Sequence, residues 1–164
     1  MNVAGLATGG GMSTNLYAGT IAALAPDEAL IVENRISIPP QYVGMQLGNL
    51  WGESLEYAHR VGSRNGAQAR LDQDGWIRWV IAHEDPGVQN WVDTGGHPEV
   101  FVAPRWAYSE TPEKKDWPEV RCRKVGLAEV AQVLPKDTQP FSLEQRRAEI
   151  ALRQRHVQKR FRAF

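Results

Sequence analysis

Asp72-Gln73-Asp74-Gly75, followed at once by Trp76-Ile77-Arg78-Trp79-Val80-Ile81-Ala82, is the stretch from which the fold is read. Glycine supplies the positive φ of a tight turn, and the aromatic and β-branched run behind it has the composition of a strand. Trp76 and Trp79 fall on opposite faces of a regular strand, because side chains alternate. Asp72-x-Asp74-Gly75 opens like a calcium loop but lacks the continuation an EF-hand needs, so it reads as a hairpin turn.

Working outward, similar signals recur. Upstream, Leu16 to Leu24 reads as a strand that Ala25-Pro26-Asp27-Glu28 reverses, with Pro and Asp at favoured type I positions. Ala29 to Ile36 is a second strand, halted by Pro39-Pro40, since proline cannot donate to a ladder. Tyr42 to Trp51 is a third, its glycines marking a twist or bulge, and Gly62 to Gly66 reads as loop. Downstream, Glu84-Asp85-Pro86-Gly87 turns the chain into Asn90 to His97, and Val100 to Tyr108 is a strand interrupted by Pro104. Glu110 to Pro118 is a polar surface excursion. Val120 to Val133 starts like a strand and ends like a short helix. Short strands between Pro/Gly turns predict a mainly β fold, an antiparallel β-sandwich of jelly-roll-like form, over residues 14–134.

The last element is a helix. Ser142, with Gln145 three residues on, makes a capping box after Pro140. Ile150, Val157, Phe161 and Phe164 recur at helical spacing, an apolar stripe on a basic amphipathic helix. From Ser142 to Phe164 seven basic side chains face two acidic ones, a net of +5, which leaves −5 on the rest of a chain whose 19 basic and 19 acidic residues cancel. Residues 135–164 are therefore expected to be a linker and a helix that docks on the domain or on a neighbouring subunit. Residues 1–13 are expected to be a flexible Gly-rich leader.

Several functions are set aside on composition. The balanced charge gives no bias toward nucleic acid, no run approaches the ~20 apolar residues of a membrane span, and the N-terminus lacks the form of a signal peptide. The one cysteine, Cys122, cannot make an internal disulfide, which points to a reducing compartment, the cytoplasm. Arg121 and Arg123 beside it favour a lowered thiol pKa. No nucleophile elbow, Walker loop or dinucleotide fingerprint is present, and no cofactor is implied.

The polar cluster runs from His83 through Asn90-Trp91-Val92-Asp93-Thr94-Gly95-Gly96-His97 to Arg105-Trp106. Asp93 and His97 can act as a general-base pair, and Arg105 can neutralise an anion. Trp51, Trp91 and Trp106, with Asn90 and His83, would wall the pocket. The alternative is structural: Asp93 and Thr94 cap a turn, and Arg105 pairs with Asp93. A metal held by His83, Asp85, Asp93 and His97 is disfavoured, because the spacing matches no local metal signature.

Pro26-Asp27-Glu28-Ala29-Leu30-Ile31-Val32-Glu33, Gln46-Leu47-Gly48-Asn49-Leu50-Trp51, Ser54-Leu55-Glu56-Tyr57, Asn65-Gly66-Ala67-Gln68-Ala69 and Asp85-Pro86-Gly87-Val88-Gln89-Asn90-Trp91-Val92-Asp93-Thr94-Gly95-Gly96-His97, ending in Arg105-Trp106, stand in one order. In these the chain resembles the bacterial domain of unknown function numbered twelve-fourteen, from about Leu16 to Trp106. The resemblance implies a jelly-roll-like sandwich, relatives with an additional N-terminal region, and no agreed reaction. Pro98-Glu99-Val100 departs from it, where a glycine is expected soon after the histidine.

The expectation is a domain that binds, and could convert, a small, partly apolar organic molecule in a Trp-lined pocket with Asp93, His97 and Arg105 at its polar end. The competing expectation is a non-catalytic domain that assembles as a homo-oligomer through the C-terminal helix.

Overall fold

The computed structural model describes residues 3–5 and 13–161. The side chains of residues 3–5 and of Phe161 lie outside that description, as does the whole of Phe164. Among the described residues ten strands form two facing sheets, a mainly β sandwich. The first sheet holds β1 (Val3–Gly5), β2 (Asn15–Ala18), β3 (Thr20–Ala23), β5 (Tyr42–Gly48), β6 (Ser63–Asn65) and β9 (Glu99–Ala107); its order is β1-β2-β9-β5-β6, with β3 also on β9. The second runs β10 (Glu119–Gly126), β4 (Glu28–Arg35), β7 (Trp76–Ala82), β8 (Trp91–Asp93).

Between the sheets lie Leu30 and Val32 of β4, Met45 and Leu47 of β5, Trp79 and Ile81 of β7, and Val100 and Val102 of β9. β4 is buried on both faces at its centre, because α1 (Val130–Val133) covers Ala29 and Ile31 from outside. That explains its continuous apolar run. Trp79 faces this core while Trp76 faces out between the guanidiniums of Arg35 and Arg121, as alternation requires.

Most turns stand where sequence chemistry puts them. Glu28 N–H donates to Ala25 O, closing the Pro26 turn, and Gly75 at φ 82° closes Asp72–Gly75. That second turn does not join two strands into a hairpin, because β7 pairs with β4 and β8 instead. The Leu16 to Leu24 strand is split into β2 and β3. Both pair with β9 in one register, and the ladder lapses between Tyr17↔Arg105 and Thr20↔Val102, the stretch facing Pro104, which has no N–H to offer. β9 itself runs through Pro104 unbroken. The Tyr42 strand ends at Gly48 rather than Trp51, because Asn49 Oδ1 accepts from Trp51 N–H and Glu53 N–H and coils the chain into a turn.

Four expectations are corrected. Gly62 to Gly66 is not simply loop: Ser63–Asn65 pairs with β5 as β6. The sandwich is not wholly antiparallel, since β8 lies parallel to β7. Val3–Gly5 pairs with β2 within the expected leader. The fourth concerns the C-terminal helix α2 (Leu143–Phe161). Its capping box forms as read, with Gln145 N–H on Ser142 Oγ and Ser142 N–H on Gln145 Oε1. Of the stripe residues whose side chains are described, Ile150 and Val157 are only half-buried and join none of the core clusters, so the described attachment of the helix does not run through them. Nor does the whole basic surface dock, as Arg147, Arg155, Lys159 and Arg160 remain exposed.

Candidate functional site

The expected triad does not converge. Asp93 is buried at the end of β8, where Arg60 Nη1 lies 3.2 Å from Oδ2 and Gly95 N–H donates to Oδ1 at 2.8 Å. That is a capped turn, and Gly95 and Gly96, at φ 66° and 84°, complete it. His97 follows with its ring exposed. Arg105 sits elsewhere, on the outer face of the first sheet, stacked 5.1 Å from the Tyr42 ring. Alternation along β9 sends Val102, Pro104 and Trp106 inward and Arg105 outward. Asp93 pairs with Arg60 rather than Arg105, a partner that no local motif signals, since the two lie 33 residues apart.

The expected ligand contacts are mostly internal supports. Trp106 is fully buried and donates Nε1–H to Asn34 Oδ1. Trp91 is buried with its Nε1–H on Ala82 O. Asn90 pairs through both amide atoms with the Arg70 backbone. His83 donates from Nε2 to Leu24 O, because a carbonyl only accepts, and its Nδ1 meets the Thr94 hydroxyl at 2.8 Å. Each of these four has its polar atoms occupied. Trp51 is the opposite case, 89% exposed at the tip of the Asn49 turn. There it borders a shallow hollow of roughly 340 Å³ with His97 and Pro98. Among the described residues Trp51, Trp91 and Trp106 thus do not wall one pocket together, and Asp85, considered for a metal, is taken by Arg146. Among the described residues no three His, Cys, Asp or Glu side chains gather to hold an ion. Cys122 is corrected as well: partial burial raises its thiol pKa. Arg121 and Arg123 lie on the opposite face of β10, because it alternates.

What the sequence reading missed is a buried charge network under α2. Arg64 of β6 has a side chain with 0% exposure. Its Nε donates to Trp91 O at 2.6 Å, and Nη1 and Nη2 reach the two oxygens of Glu149 at 2.7 and 2.9 Å. Arg146, one turn earlier on α2, donates to Glu149 Oε2 at 2.6 Å, to Asp85 Oδ2 at 2.8 Å and to Val88 O at 2.7 Å. Its guanidinium also stacks on the rings of Trp91 and Phe141, at 5.0 and 4.4 Å. Burial pulls the Arg64 pKa down, and the Glu149 carboxylate opposes that shift. The linker before α2 is fastened too, through Phe141 N–H to Gly87 O and the Val88↔Pro140 bridge. The available signal was the i,i+3 pair Arg146 and Glu149 on the helix, which marks an ion pair but not its burial.

Held this way, α2 lies alongside β5 and β6 and leaves a cleft of roughly 660 Å³. Tyr42, Gln46 and Asn65 are on the sheet side, and Leu152, Arg153 and His156 on the helix side. Tyr57 and Leu152, 45% and 46% exposed, stand at its mouth. Arg105 borders this cleft through its stack on Tyr42 without lining it. Its volume falls within the ~300–1,000 Å³ of small-molecule sites, and its mixed lining suits an amphipathic guest.

The chain is similar to the crystal structure of an uncharacterised protein from Burkholderia cenocepacia, with 34% identity and a TM-score of 0.65 over 73% of this chain. It also resembles the VPA0106 protein of Vibrio parahaemolyticus, at a TM-score of 0.50 over 66% of the chain and 8% identity, which is a likeness of fold. The chain spans about a third of the length of these structures, 32% and 30%. No protein-family model and no curated protein matches it. No helix among the described residues is long and apolar enough to cross a membrane.

Proposed function

We propose that this domain binds a small, partly apolar organic molecule in the cleft between β5–β6 and α2. The observation that carries the reading is that cleft itself, roughly 660 Å³ and walled by a helix that buried ion pairs hold in place. A wall fixed before the ligand arrives removes ordering cost from binding. The same reading takes the chain as a member of the bacterial family numbered twelve-fourteen, on the ordered motifs from Pro26 to Trp106. The lone free thiol Cys122 supports a cytoplasmic setting.

The test is an NMR fragment screen against the full chain and against Leu152→Trp, which adds bulk at the cleft mouth. Fragments should shift the amides of Ser63, Asn65 and Gln68 in the parent and leave them unmoved in the variant. Hits confined to other surfaces would overturn the proposal.

A second reading, a non-catalytic assembly domain, draws on one observation: Trp51 stands 89% exposed beside Leu50, at 52%. Sedimentation would decide it, since a self-associating chain should lose mass on Trp51→Ser.

A further inference from the structure

The cleft is not neutral. Arg64, Arg153 and Arg160 line it, and among the lining residues the carboxylate is Glu149, both of whose oxygens are already engaged by Arg64 and Arg146. No lining acid remains for Arg153. Its described side-chain hydrogen bond runs from Nη2 to Ser63 O at 2.7 Å, and its Nε is buried without a partner. A guanidinium carries five N–H donors and no acceptor, so such a group is under-used. Burial lowers its pKa, with Glu149 and Glu56 acting the other way at longer range. The desolvation cost of that charge is already borne by the folded protein.

Resting on the cleft reading, we infer that the small molecule taken there carries a carboxylate or phosphate, held by the Arg153 guanidinium, with its apolar part against Leu152, Val157 and Tyr57. The three apolar contacts all line the cleft beside Arg153, with Val157 one helical turn along α2. A planar guanidinium matches the two oxygens of either anion, and a charge-assisted pair out of bulk water is among the stronger polar contacts. His156 and Arg160 add donors on the same side of the cleft. A neutral amphiphile would leave these groups unanswered.

The experiment titrates the full chain with benzoate, phenyl phosphate and benzyl alcohol, following backbone amides by NMR. Both anions should shift Ser63, Asn65 and Gln68, and the better anion should bind about 10-fold or more tightly than the alcohol. Benzoate against phenyl phosphate separates the carboxylate source from the phosphate one. Arg153→Gln should erase the preference for anions, while Arg147→Gln, on the exposed face of α2, should keep it. If Arg153→Gln does not fold, Arg153→Lys is read instead, and it should bind the anions more weakly than the parent yet above the alcohol. Equal cleft binding by all three probes overturns the anion while leaving the ligand reading intact. Probes that never shift cleft amides overturn both. An anion preference that survives Arg153→Gln overturns the role given to that residue.

Discussion

Removing the Glu149 carboxylate is the most demanding test of how the helix is held. In Glu149→Ala, Arg64 keeps its bond to Trp91 O but loses both Nη partners, inside a site where its side chain has no exposure. Arg146 loses one of its partners and retains Asp85 and Val88 O. The dominant loss is therefore an uncompensated buried charge at Arg64, for which deletion of one partner costs about 3–5 kcal/mol. At ~2–4 °C per kcal/mol for a domain of this size, the melting temperature should fall by about 6–20 °C. Urea unfolding followed by tryptophan fluorescence measures the change. The double variant Arg64→Met/Glu149→Leu removes the charge with its partner and should recover most of the loss, leaving about 1 kcal/mol for the orphaned Trp91 carbonyl. A Glu149→Ala protein within about 1 kcal/mol of the parent would refute the network as the fastening of α2.

Arg78 presents the inverse arrangement, one cation serving Glu33, Asp72 and Asp74 at 2.6–2.9 Å. Its bond to Asp74 holds that carboxyl below the usual range, whereas burial raises Asp72. In the parent, Asp74 thus contributes stability that is present above its unfolded pKa and is lost as pH falls through the folded one. Arg78→Met should reverse the slope: Asp72, whose carboxyl burial already raises, loses the cation that opposes that shift, so the variant should gain stability from pH 7 to pH 5 in urea titrations, and a parallel curve would contradict this. Asp93→Ala removes the acceptor of Gly95 N–H and the partner of Arg60, and should cost about 1–3 kcal/mol, whereas His97→Ala, exposed, should stay within about 0.5 kcal/mol by the same unfolding assay. Cys122, its thiol pushed up, should react with a disulfide reagent more slowly than free cysteine at pH 7 and accelerate as pH rises; fast modification at neutral pH would be the wrong result.

What the sequence disclosed follows from the range of the interactions involved. Turns such as Ala25–Glu28 and Asp72–Gly75, and the Ser142/Gln145 box, are decided within four residues, so they are legible in order. The faces of β7 follow from alternation, another local rule. The charge network under α2 is not legible because its contacts join residues far apart: Arg64 and Glu149 are separated by 85 positions. Arg64 sits between glycines in a stretch with no apolar alternation, which conceals β6. The richest polar run, His83 to His97, is dense in chemistry-bearing side chains, yet these chiefly bind backbone atoms, of neighbouring segments or of the run itself. Many polar residues there reflect irregular backbone needing partners, not open chemistry.

The mode of attachment of α2 bears directly on the cleft. A helix buried by its apolar stripe would set Ile150 and Val157 against the sheet and close the space between them. Here directional contacts from Arg146 and Glu149 near the N-terminal half of α2 fix its position, while Arg153 reaches Ser63 O as the next tie along. Beyond that point the helix stands off β5 and β6, and its apolar and basic side chains border the gap instead of filling it. Ion pairs with defined geometry can hold two surfaces apart at a set distance, which non-directional apolar contact does not do. The same Glu149 that neutralises Arg64 is thereby withheld from Arg153. One carboxylate shared between two arginines fastens the wall of the cleft and leaves the third arginine available to an anion from outside.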